Sequence, residues 1–314
     1  MKFSTLASTL LLSSLAVAAP LTEKRRAAYE ARRAVRNRHT NPPFKTNVTV
    51  DGPNNKHVEY SSNWAGAVLV GTGYTSVTAE FVVPTPSAPS GGSSGTQYCA
   101  SAWVGLDGNT CTSAILQTGV DFCVQDGQVS YDAWYEWYPD YAYDFSGISV
   151  SAGNTIKVTV DATSTSAGTA TVENVSTGQT VTHSFSGESA HLCEYNAEWI
   201  VEDFSEGNSL VPFANFGTVT FTGASATDGG SSVGPSGATI IDIEQNGKVL
   251  TDVSVSGDEV VVHYALQCIS SGSQLATVYK PSTTRSARPG LKGEDYLGLL
   301  MPVNAPDLRP SACL

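Results

Sequence analysis

The sequence predicts an all-β protein, a sandwich of two antiparallel sheets, and three observations predict it. Between residues 60 and 265 apolar and polar side chains alternate with period two in short runs, the mark of strands with one buried face. The runs are rich in Val, Thr, Ile and Phe and are bounded by Gly, Ser, Asn and Asp. No stretch of a dozen residues keeps a helical period. About 200 residues of this texture suit one sandwich or jelly roll rather than two domains.

In chain order the clearest runs are GAVLVG (66–71), SVTAEFVV (76–83), TIKVTVDAT (155–163), GTATVENV (168–175), TVTHSFS (180–186), TVTFTGA (218–224), ATIIDIEQ (238–245) and DEVVVHYA (258–265). SAPSGGSSG, 87–95, reads as a flexible loop between the first strands and the next segment.

The ends differ from this middle. Met1 and Lys2 precede an apolar run, Leu6 to Val17, that closes on small residues, so residues 1–18 read as a secretory signal peptide. No later stretch has the length to span a bilayer, and a secreted monomer without membrane or nucleic-acid partners is expected. Asn47-Val48-Thr49 and Asn174-Val175-Ser176 match the glycosylation pattern. The last 49 residues, 266–314, lose the alternation and bring five Lys and Arg. They read as a genuine extension, a disordered tail or an artefact of gene prediction.

Charge separates the chain further. Residues 20–59 hold nine basic and four acidic side chains, whereas residues 60–265 hold 22 acidic ones against Lys157 and Lys248 alone. A domain nearly free of cations gains little positive charge as its carboxylates protonate, which suits an acidic medium. The basic stretch should bind the acidic domain near neutral pH and loosen as carboxylates titrate. Residues 19–59 are therefore read as a pH-released propeptide, with dibasic processing sites at Lys24-Arg25-Arg26 and Arg32-Arg33, and residues 60–265 as the mature domain.

Six cysteines occur, and in an oxidising compartment the four inside the β domain allow three pairings. There is no Cys-x-x-Cys or His-x-x-x-His, so no metal and no cofactor are expected. Gly-x-Ser-x-Gly, His-Glu-x-x-His and paired Asp-Thr-Gly loops are also missing.

Three segments carry chemistry instead. YDAWYEWYPDYAYDF, 131–145, packs eight aromatic residues around four acids. On a strand Asp132, Trp134, Glu136 and Tyr138 share a face, which makes a polymer-binding cleft, while Tyr135 and Trp137 read as core. In DGNTCTSAILQTG, 107–119, Gln117 is a neutral amide closing an apolar run. In NAEWIVEDFSE, 196–206, Ile200, Glu202 and Phe204 share one strand face. A carboxylate between Ile and Phe is partly desolvated, which favours its neutral form and raises its pKa. Asp203 faces the other way and reads as a surface or turn partner.

Four stretches, YSSNWAGAVL, ASAWVGLDGNTCTSAILQTG, YDAWYEWYP and NAEWIVEDF, in this order and spacing, resemble the glutamic peptidases, or eqolisins. The resemblance covers about 60–265. It implies a concanavalin-like sandwich and an acid endopeptidase acting on polypeptides, with Glu202 and Gln117 as the catalytic pair. It also implies cleft residues Trp64, Trp103, Asp107, Asp132, Glu136, Tyr138 and Phe204, and disulfides Cys99–Cys123 and Cys111–Cys193. The family has a two-chain member cut in the loop corresponding to 87–97. That loop carries no Lys or Arg here, so a single chain is expected. The family pattern ends near Ala265 and leaves Cys268 and Cys313 without assigned partners.

Two other readings fit the residues alone. A glycoside hydrolase would use carboxylates such as Glu136 and Glu202 but would give Gln117 no task. A lectin-like module would need the aromatics and neither Gln117 nor Glu202, nor a basic propeptide.

Overall fold

The computed structural model describes residues 38–46 and 58–265, and it is β throughout, with no helix among the described residues. The strands are β1 (Arg38–His39), β2 (Val58–Ser61), β3 (Trp64–Val70), β4 (Tyr74–Val82), β5 (Gln97–Leu106), β6 (Ile115–Gln125) and β7 (Gln128–Tyr138). Next come β8 (Tyr143–Asp144), β9 (Thr155–Ser164), β10 (Ala167–Asn174), β11 (Gln179–Ser186), β12 (Asn196–Glu202), β13 (Ser205–Glu206) and β14 (Ser209–Leu210). The last are β15 (Thr218–Asp228), β16 (Ser231–Val233), β17 (Thr239–Gln245), β18 (Lys248–Val249), β19 (Thr251–Ser256) and β20 (Glu259–Tyr264). All eight runs read from the sequence fall on these strands. The expected signal peptide, the expected dibasic processing sites, Asn47, Cys268, Cys313 and residues 266–314 lie outside the described residues.

Two large sheets make the sandwich. One has eight strands in the order β11-β10-β9-β4-β15-β20-β19, with β16 on β15. The other has nine, in the order β18-β17-β3-β12-β5-β6-β7-β8, with β2 on β17. Pairing is antiparallel except between β2 and β17, which run parallel. The expected sandwich is therefore present, with one parallel pair added at a sheet edge. A small third sheet, β1-β13-β14, brings residues 38–39 against the chain just beyond β12.

Period two explains the packing. Facing side chains such as Val77, Phe81, Val158, Trp199, Val201 and Phe221 fill the space between the sheets and are excluded from water. Burying each large apolar side chain contributes about 1.5–3 kcal/mol. A second apolar cluster lies on the other face of the nine-stranded sheet: Trp64, Val68, Trp103, Ile115, Trp134, Ile200 and Ile241. That sheet is thus apolar on both faces, and the second face carries the chemistry.

Disulfides join Cys99 to Cys123, directly opposite each other on β5 and β6, and Cys111 to Cys193. These are the pairs that the family resemblance implies. The glycosylation pattern at Asn174 meets a different fate: the residue is buried and its amide donates to Ser149 O at 2.7 Å and to Asn154 Oδ1 at 3.0 Å. Its side chain is committed to closing the 149–154 loop, so the folded domain does not offer it for modification.

Candidate active site

Unbroken register across β12, β5, β6 and β7 sets the side chains of the second face in rows. One row is Glu202, Ser101, Asp121 and Asp132; the next is Ile200, Trp103, Gly119 and Trp134; the third is Glu198, Gly105, Gln117 and Glu136. Two glycines make room for a tryptophan. A Cβ on Gly105 would come within 2.8 Å of the Trp103 ring, and one on Gly119 within 2.4 Å of Ala102 O. The indole therefore lies along the sheet, and its Nε1–H donates to Glu202 Oε2 at 3.0 Å.

Glu202 is buried at the end of β12. Its Oε1 accepts from the Asn63 amide at 3.4 Å and from the backbone N–H of Asn41 at 3.3 Å. Burial pushes its carboxyl well above the ordinary range, and the neighbouring Glu136 carboxyl adds to the rise. Glu136 is also buried, accepts from Thr40 N–H at 3.2 Å, and is raised by burial to about 8.

Gln117 stands beside Glu136 in the same row, two strands from β12. It is fully buried, and neither its amide nitrogen nor its oxygen has a protein hydrogen-bond partner. Buried polar groups are nearly always paired, so an amide kept unspent on a packed sheet face marks a site held for something else.

The other sequence-predicted residues divide. Trp64 and Trp103 meet edge to face, 4.9 Å between centroids, and Tyr138 packs on the same cluster. Asp132 sits half-buried opposite Asp121. Asp107 departs from its expected place in the cleft. It is buried with left-handed backbone, φ 68°, and its carboxylate accepts the N–H groups of Cys193, Glu194, Tyr195 and Asn196 at 2.7–3.2 Å. It ties down the loop leading into β12, and no lone pair is left facing substrate.

β12 stops at Glu202, where Asp203 N–H turns to Asn63 O at 2.8 Å. The Phe204 ring nevertheless keeps to the face of Glu202, packed with Val211 and the Cys99–Cys123 disulfide, whose cysteines alternate with Ser101 and Asp121 on that face. One strand-based expectation needs correction. Asp203 is not on the surface: it is buried and accepts from Gln245 Nε2 at 2.7 Å, and burial raises its carboxyl.

Three residues of the face went unread in the sequence. Asp121, four residues from Gln117 on the same strand face, is paired with Arg38 at 2.6–2.7 Å. Glu198 is buried in the row of Gln117, and Asn63 contacts Glu202. The period-two spacing from Gln117 and from Glu202 was the signal for the first two.

Residues 38–46 lie across these groups. The Arg38 guanidinium is held between the Trp134 and Phe204 rings, 4.8 and 4.7 Å from their centroids, and His39 stacks on Tyr141. β1 adds to β13, and Ala142 N–H donates to Arg38 O at 3.1 Å. A separate depression of about 260 Å³, lined by Tyr135, Asp144 and His183 among others, is off this face. Tyr135 and Glu136 are neighbours on one strand and point to opposite sides.

Known proteins share this arrangement of sequence. The profile of the Peptidase A4 family matches residues 62–264. Aspergillopepsin-2 of Aspergillus niger is 63% identical over 284 residues, covering 84% of this chain and all of that protein. Scytalidopepsin B of Scytalidium lignicola is 44% identical over 277 residues, with the same coverage of this chain and all of its own length. The crystal structure of scytalido-glutamic peptidase with a transition state analog inhibitor matches with a TM-score of 0.60 at 47% identity, over 65% of this chain and 98% of that one. That of aspergilloglutamic peptidase from Aspergillus niger matches at 0.53 and 72% identity, over 54% and 99%. The chain belongs to the Peptidase A4 family and is a glutamic peptidase.

Proposed function

We propose that the chain is a secreted acid endopeptidase, made as a zymogen, in which Glu202 is the general base and Gln117 the oxyanion donor. The observation that carries this reading is the unspent amide of Gln117, buried on the face that also holds Glu202. Glu202 takes a proton from water as it attacks the scissile carbonyl, then returns it to the leaving amine. The Gln117 NH2 donates to the oxyanion of the tetrahedral intermediate and, being uncharged, does so at any pH. Trp103 and Asn63 orient the carboxyl. A glycosidase would leave Gln117 idle, and a binding module would have no use for two raised carboxyls.

Residues 38–46 act as the inhibitory part of the propeptide. They take up hydrogen-bonding capacity of both Glu202 and Glu136 and seat Arg38 on Asp121. As the carboxylates of the acidic domain titrate in acid, the attraction that holds the basic segment weakens and the strand leaves. Water then reaches Glu202, the desolvation that raises its pKa lessens, and the carboxyl ionises within the acid range. The leader at 1–18 directs export.

The test is cleavage of a denatured protein by acid-treated enzyme between pH 2 and 6 with pepstatin present. Acid-only cleavage that survives pepstatin and disappears in Glu202→Gln and Gln117→Ala supports the pair. Removing one oxyanion donor costs about two to three orders of magnitude in turnover. Persistent cleavage in Glu202→Gln assigns the base to another carboxylate, and no cleavage by wild type after loss of the propeptide sinks the acid-endopeptidase reading.

A further inference from the structure

Asn63, in the turn between β2 and β3, is fully buried, and its side chain is hydrogen-bonded at both its oxygen and its nitrogen. Oδ1 accepts from the Ser61 hydroxyl and from Phe44 N–H, each at 2.8 Å. Nδ2 faces Asn41 O at 3.3 Å, Pro42 O at 3.4 Å and Glu202 Oε1 at 3.4 Å. An amide nitrogen has two protons, so one can stay on Glu202 while the other serves the two carbonyls.

The turn itself does not need that NH2 group. Ser61 Oγ already accepts the N–H groups of Asn63 and Trp64, both at 3.2 Å. Apart from Glu202, the Nδ2 hydrogen bonds all go to the main chain of residues 41 and 42. The contacts with residues 38–46 touch a carbonyl, a second carbonyl and an N–H, and no side chain. Such a group grips an extended chain whatever its sequence.

We propose that Asn63 is a main-chain clamp for the substrate. Its carboxamide accepts a peptide N–H on Oδ1 and donates to a peptide carbonyl on Nδ2, while the second Nδ2 proton stays on Glu202. The clamp thereby fixes the distance between the bound chain and the general base. The inference rests on the reading of this face as the peptidase cleft and of residues 38–46 as its occupant.

The experiment is a double-mutant cycle between enzyme and inhibitor. Acid-matured enzyme from the full chain is inhibited with a synthetic peptide of residues 38–46, and with an analogue in which an ester replaces the amide at Phe44 and so lacks its N–H. Asn63→Ala weakens inhibition by the parent peptide about tenfold or more, as expected for lost hydrogen bonds, and weakens the ester analogue much less. Asn63→Asp keeps the Oδ1 acceptor, so it retains the difference between the two peptides, and it keeps the test readable if the alanine variant folds poorly. On a protein substrate Asn63→Ala raises KM more than it lowers kcat. Equal weakening of both peptides by Asn63→Ala, or none, overturns the clamp while leaving the occupant in place. Failure of the parent peptide to inhibit wild type overturns the occupant reading, and the clamp with it.

Discussion

Strands β11 and β12 are nearly the same length and could hardly be used more differently. In β11 every second residue, Thr180 to Ser186, is exposed, and the intervening residues are only half-buried. In β12 all seven residues, Asn196 to Glu202, are buried. The cause is position. β11 is the outermost strand of the eight-stranded sheet, whereas β12 lies between β3 and β5 with a filled core on one face. Its other face holds Asn196, Glu198, Ile200 and Glu202, and residues 38–46 meet it at Glu202. An edge strand can leave its polar face to water. A central strand with both faces covered carries carboxylates only against a desolvation cost, so polar residues there mark function or pH sensitivity.

The largest effect should come from the β12 residue given the chemistry. Glu202→Gln should lower kcat by about two to four orders of magnitude with the fold intact, read by protein cleavage in acid beside a circular dichroism spectrum. Next is its neighbour on the opposite face. Trp199 is buried between the sheets and donates Nε1–H to Thr78 O at 3.0 Å. Trp199→Ala should cost about 3–5 kcal/mol in denaturant unfolding, more than any single change on β11.

A smaller and pH-dependent effect belongs to Glu198. It is buried, neither oxygen has a well-formed hydrogen bond, and the Asn109 amide compensates only in part. Burial, then the Asp107 charge, raises its carboxyl well above the ordinary range. A raised acid holds its proton in the folded chain and gives it up in the unfolded one. Its contribution is present in acid and is lost as pH climbs past about 4.3, the unfolded value, toward the folded one. Glu198→Gln should move the pH of half-unfolding upward. A midpoint that stays put would shift the sensitivity to Glu136 and Asp242, raised by burial to about 8 and about 7.

The smallest change expected is Thr180→Ser on the exposed face of β11, within about 0.5 kcal/mol of wild type. A loss above about 1 kcal/mol would mean that the edge strand is less independent of the core than its exposure indicates.

Much of the fold was legible, because strand alternation is a local property. The eight runs, the core roles of Tyr135 and Trp137, and the oddity of Glu202 followed from period two. What was not legible lies where the chain leaves a strand, because alternation says nothing about burial or hydrogen bonding beyond a strand's end. Asp203, read as a surface or turn partner because it faces away from Ile200, is buried against Gln245. The family resemblance implies Asp107 as a cleft residue, but it stands just past β5 and its carboxylate turns to the loop at 193–196.

By itself the sequence determined the all-β class, the acidic domain and its basic companion, and the pairing of residues on strand faces, since each depends on neighbours in the chain. Only the tertiary structure decided that Gln117 shares a row with Glu198 and Glu136, that two glycines let Trp103 reach Glu202, and that Asn63 and Asp121 meet residues 38–46. Those outcomes depend on strand order and register. Segments more than a hundred residues apart, such as those of Trp64 and Glu202, become neighbours through packing that no local pattern encodes.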